Sequence, residues 1–135
     1  MAKQAIHTDK APAAIGPYSQ AIALSAGNDA RIIFTAMQIG LDPATMEIVE
    51  GGIEAETKQV LNNLTAVLKE AGAGWENVVK AVVYLADMND FVVFNALYGE
   101  VVVDPPPARS AVAVRDLPKG GCVGIELVAM LLRTQ

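Results

Sequence analysis

Val78-Val79-Lys80-Ala81-Val82-Val83-Tyr84 is the stretch on which the fold turns. The region Asn77 to Ala86 reads as a strand, and its side chains are apolar at both parities, with Lys80 the one charge in the run. A strand that faces water on one side alternates apolar and polar residues, whereas one that is apolar on both sides lies inside a sheet. This strand is therefore expected to be central, with neighbours on both edges.

Working outward, a helical pattern precedes it. Ile53, Val60, Leu61, Leu64, Val67, Leu68 and Ala71 fall on one face, while Glu54, Lys58, Asn62 and Lys69 turn to water. Gly51 and Gly52 stand before this helix, and Gly72 and Gly74 are candidates for its left-handed cap. Further back, Tyr18 to Leu24 and Arg31 to Gln38 read as strands, the second rich in Ile32, Ile33, Phe34 and Thr35. Gly40-Leu41-Asp42-Pro43 marks a loop, and a short extra strand is expected near Met46 to Val49. After the central strand, Asp87 or Asn89 can cap a second helix with Phe91, Phe94, Leu97, Tyr98 and Val101 as its apolar stripe. Asp104-Pro105-Pro106-Pro107 stops that helix. Strands over Ala108 to Val114 and Val123 to Leu132 follow, joined through the turn Leu117 to Gly121. The order predicts a single α+β domain over residues 1–135, a sandwich of a mixed β-sheet with two helices on one face.

The other sheet face needs cover. With 53% hydrophobic and 19% charged residues in a chain of 135, disorder is excluded, and the apolar surplus exceeds what so small a monomer can hide. A second copy of the chain is the expected partner, so a homo-oligomer is predicted. No window reaches the roughly 18 to 20 apolar residues of a membrane span, and Met1 to Lys10 has neither an apolar signal core nor an arginine. The net charge is −5 and the basic residues are scattered, which argues against nucleic acid. Cys122 is the single cysteine, as in proteins of a reducing compartment, and a cytoplasmic location is expected. His7, the one histidine, falls in an N-terminal arm expected to be mobile, so no Cys/His metal site is predicted.

Arg109, in Pro107-Ala108-Arg109-Ser110, follows three prolines and begins a strand, which sets its direction rigidly. A guanidinium so held can grip a carboxylate through two parallel hydrogen bonds. The local sequence leaves two readings open: a carboxylate anchor, or a surface arginine at a strand start. Tyr18, after the turn Ile15-Gly16-Pro17, is similarly open between ligand contact and rim or core.

Across the chain, Ala11-Pro12-Ala13-Ala14-Ile15-Gly16-Pro17-Tyr18-Ser19-Gln20-Ala21, Asn89-Asp90-Phe91 to Asn95, Pro107-Ala108-Arg109-Ser110 and Leu117-Pro118-Lys119-Gly120 occur in an order that resembles the reactive intermediate deaminase (Rid) family, also labelled endoribonuclease L-PSP. The resemblance implies a chorismate-mutase-like sandwich and homotrimers with sites at subunit interfaces. It also implies hydrolysis of 2-imino acids, released by pyridoxal-phosphate-dependent serine and threonine dehydratases, to 2-keto acids and ammonia without a cofactor. On that pattern Arg109 would grip the substrate carboxylate, with Tyr18 and Asn95 lining the pocket.

The chain departs from the family at several positions. Ser-Gly-Gln becomes Ala36-Met37-Gln38, so Ala36 and Met37 would line the site. The position after Arg-Ser, often cysteine, is Ala111, and the aromatic expected before Pro107 is Pro106. The terminal strand's first glutamate, which would position the attacking water, is Gly124. Glu126, one pleat (about 6.6 Å) along the same strand face, is the carboxylate that could replace it, or it is a structural residue at a subunit interface. Three other functions remain open: a non-catalytic sensor or interaction module binding small carboxylates or 2-keto acids, favoured by Gly124 and Met37; a ribonuclease or translation inhibitor, opposed by the acidic charge and the lack of a histidine pair; and a chaperone-like role, to which no residue points.

Overall fold

The computed structural model describes residues 3–132. Among them, seven strands run in chain order: β1 (Lys3–Ile6), β2 (Ala21–Ser25), β3 (Arg31–Thr35), β4 (Gln38–Ile39), β5 (Val78–Leu85), β6 (Ala108–Ala113) and β7 (Val123–Leu131). Helix α1 (Gly52–Glu70) connects β4 to β5, and α2 (Phe91–Val101) connects β5 to β6. The strands form one mixed sheet in the order β1-β2-β3-β7-β5-β6, with β4 also pairing β7. Only β5 and β6 are parallel, a pairing that needs a crossover, which α2 supplies. The doubly apolar run thus has a strand on each side, β7 and β6, as its composition requires.

Register decides which side chains form the core. Ala23 pairs with Ile33, Ile33 with Ala129, Ala81 with Leu127, Val83 with Ile125 and Leu85 with Val123, and all are buried. Onto this face α1 places Val60, Leu64, Val67 and Leu68, and α2 places Phe94 and Tyr98. Both helices therefore cover one side of the sheet. Gly72 ends α1 at φ +83°, where a side chain would be strained, whereas Gly74 is extended and is no left-handed cap. The Asp87 carboxylate accepts from the backbone N–H of Asn89 at 2.9 Å, fixing a 3-10 turn that leads into α2.

Neither helix covers the opposite face. Phe34, Val112 and Met130 are 44%, 48% and 37% exposed there, beside half-buried Val82, Val128 and Glu126.

Three further sequence expectations need correction. The N-terminal arm begins as an edge strand, because β1 pairs antiparallel with β2 and buries Ile6. The lead-in after it is held by buried Gln20, which accepts from Thr8 N at 2.7 Å and donates to the carbonyls of Thr8 at 3.0 Å and Pro12 at 2.8 Å. The run Arg31 to Gln38 is not one strand: Ala36 and Met37 interrupt it, and β4 moves across to β7. The strand expected near Met46 to Val49 reduces to a single bridge between Leu41 and Ile48, since Met46 takes a left-handed φ of +60°.

Candidate functional site

Arg109 pairs with Ala81 across the parallel β5–β6 ladder, so its side chain leaves the sheet on the helix side and meets α2. Its Nη1 donates to Asn95 Oδ1 at 2.7 Å. Its guanidinium carbon lies 5.3 Å from the ring centre of Phe91 and 4.9 Å from that of Tyr98. Phe91, Asn95 and Tyr98 are spaced i, i+4 and i+7, one stripe of α2. Each ring face attracts the cation by about 0.5–1 kcal/mol at a partly exposed site. Five N–H groups belong to a guanidinium, so the group retains donors for a carboxylate while these three residues fix its plane. Phe91 and Tyr98 are assigned to the core stripe by sequence reasoning, which misses their contact with Arg109. Their spacing around Asn95 was the available signal. Burial raises the Tyr98 phenol pKa, partly offset by the Arg109 charge, and its hydroxyl has no hydrogen-bond partner.

A second group surrounds a cavity of about 390 Å3. Tyr18, Ala36 and Met37 all line it, together with Pro12, Ala13, Ile15, Gln38, Ile39, Leu41, Pro118 and Lys119. Gln20 ties down the backbone at Thr8 and at the lining residue Pro12, a role sequence reasoning did not assign. The Tyr18 hydroxyl accepts from Ile15 N at 3.3 Å, which orients the ring within its own turn. Lys119, the one charged lining residue, donates from Nζ to the Met46 carbonyl at 3.3 Å.

Gly124 pairs with Ile39 of β4 and with Tyr84 of β5. A Cβ at Gly124 would stand 2.7 Å from Met37 Sδ and 3.1 Å from its Cγ. The thioether thus occupies the room into which a side chain at Gly124 would project, so two departures from the family pattern meet in one place. Glu126 accepts a short hydrogen bond from the Tyr84 hydroxyl on the uncovered face. That bond, then burial, then the Glu126 charge raise the Tyr84 pKa, which keeps the phenol protonated as the donor.

The expected site residues therefore fall into three groups. Arg109 is with Asn95; Tyr18, Ala36 and Met37 share the cavity; Glu126 is with Tyr84. Neither Arg109 nor Glu126 lines the cavity. Burial first, then its bond to Glu56, pushes the Cys122 thiol pKa up to about 11. Among the described residues no group of three or more His, Cys, Asp or Glu could hold a metal ion, and no helix is long and apolar enough to cross a membrane.

The family model described as endoribonuclease L-PSP matches residues 8–131. A RutC family protein of Synechocystis sp. is 53% identical over 133 residues, covering 97% of this chain and 98% of the relative. A 2-iminobutanoate/2-iminopropanoate deaminase of Bos taurus is 47% identical over 130 residues, covering 96% and 91%. Among solved structures, RidA from an Antarctic Psychrobacter sp. superposes with a TM-score of 0.85 at 44% identity, covering 95% of this chain and 99% of that one.

Proposed function

Because the chain belongs to the endoribonuclease L-PSP (Rid) family, we propose that it hydrolyses 2-imino acids to 2-keto acids and ammonia, in the cytosol, as a homotrimer with its sites between subunits. The observation that carries this reading is the clamp on Arg109. Asn95, Phe91 and Tyr98 hold a guanidinium whose remaining donors suit a planar carboxylate. With the carboxylate fixed, the imine carbon at C2 is presented to water, and positioning supplies much of the rate. Water adds to the C=N bond to give a carbinolamine, which expels ammonia and leaves the keto oxygen from that water. Neither step needs a cofactor.

Arg109 and the cavity are apart in one protomer, and β6 is an edge strand. A second copy set against that edge could bring its own Tyr18–Met37 cavity to Arg109. Glu126 is the candidate carboxylate for handling water, with Tyr84 orienting it.

One observation favours a second reading, a module that binds small carboxylates without turning them over. Met37 fills the space over Gly124, so the cavity wall carries no carboxylate there. The experiment generates 2-iminobutyrate in situ with a threonine dehydratase and follows ammonia or keto-acid release. Wild-type protein is expected to accelerate release, and Arg109→Ala to lose about a hundredfold or more. No acceleration by wild type contradicts the deaminase reading; acceleration that survives Arg109→Ala contradicts the anchor.

A further inference from the structure

We propose that Met37 and Gly124 act as one interlocked specificity determinant, the thioether forming an apolar wall that selects acids whose side chain is aliphatic and larger than ethyl. This rests on reading the cavity as the place where a carboxylate-anchored ligand lies.

The interlock is geometric. Met37 Sδ lies where a Cβ at residue 124 would be 2.7 Å away, and Ile39 Cγ2 would be 3.4 Å away. Glycine at 124 is what lets the thioether lie flat against β7. Any side chain there would push Met37 off the strand and toward the cavity it lines. An unbranched thioether with three rotatable bonds adapts to alkyl groups, and it offers a polar substituent almost nothing to bond to.

The rest of the cavity agrees. Beside Met37 stand Ile15, Ile39 and Leu41, no acid lines it, and its one cation, Lys119, is engaged by the Met46 carbonyl at 3.3 Å. A cavity of about 390 Å3 falls in the range that encloses ligands well beyond a four-carbon acid. A two-carbon side chain would leave much of this apolar wall uncovered, whereas a branched aliphatic one would meet it. A ligand hydroxyl or carboxylate placed against Met37, Ile39 and Leu41 would lose its water without gaining a side-chain partner from them.

Stable 2-keto acids probe this without requiring turnover. Calorimetric titration compares 2-oxobutanoate, 4-methyl-2-oxopentanoate and 2-oxoglutarate on the full-length protein, its Met37→Ala and Gly124→Ala variants, with circular dichroism verifying the folds. Wild type is expected to bind 4-methyl-2-oxopentanoate at least about tenfold more tightly than the other two. Met37→Ala is expected to shrink that preference to about threefold or less, and Gly124→Ala to weaken binding of the larger acid by displacing the thioether. Equal binding of the three acids by wild type overturns the proposal, as does no binding of any, or a preference that Met37→Ala leaves unchanged. Selective binding with no turnover of imines would overturn the deaminase reading and leave this one standing. Turnover without selectivity would do the reverse.

Discussion

Arg109 carries its charge on a long side chain, and fixing such a chain costs roughly 2 kcal/mol of rotamer entropy. Two ring faces and one amide oxygen offset that cost, and all three come from a single helix stripe, so the guanidinium is held in one orientation. Tyr98 serves this purpose with its ring and not with its hydroxyl, which is buried without a partner. Tyr98→Phe should therefore keep the stack on Arg109 and stabilise the protein by about 1 kcal/mol, as relief of an unsatisfied buried hydroxyl. Urea unfolding measures it; a destabilisation of similar size would mean that the hydroxyl has a partner.

At the scale of elements, β4 decides the shape of the cavity, and its seat on α1 is tight. A Cβ at Gly40, just after β4, would stand 2.9 Å from Glu56 Cβ and 3.0 Å from its Cα. The same glutamate accepts from Cys122 N at 2.7 Å, joining α1 to the start of β7. Gly40→Ala should push β4 off the helix and cost about 1–3 kcal/mol. Thermal unfolding checks this, and an unchanged midpoint would contradict the packing described. Elements with a strong period were legible in sequence: α1 through Ile53 to Ala71, and β5 through its doubly apolar run. β1 was not, because Lys3 to Ala5 are exposed and only backbone pairing with β2 makes them a strand. The break between β3 and β4 was hidden too, since Ala36 and Met37 carry no turn signal of their own.

For the whole molecule, the sequence named Arg109, Tyr18, Asn95, Met37, Ala36 and Glu126 but could not say which of them meet. That depends on strand order, and the placement of β7 between β3 and β5 comes from tertiary pairing that no local pattern encodes. The Tyr84–Glu126 bond, 42 residues apart in sequence, is hidden for the same reason. The order leaves Arg109 on one edge strand, the cavity elsewhere, and an apolar sheet face open with Phe34, Val112 and Met130 on it. Self-association would cover that face and could complete the site in the same step. The most direct measurement co-expresses Arg109→Ala chains with Met37→Trp chains, the second intended to fill the cavity, and assays imine hydrolysis by the mixed assemblies. If each site takes Arg109 from one copy and the cavity from its neighbour, random mixing should restore about a quarter of the sites although each parent is inactive. Mixed assemblies no more active than their parents would contradict a site shared between subunits.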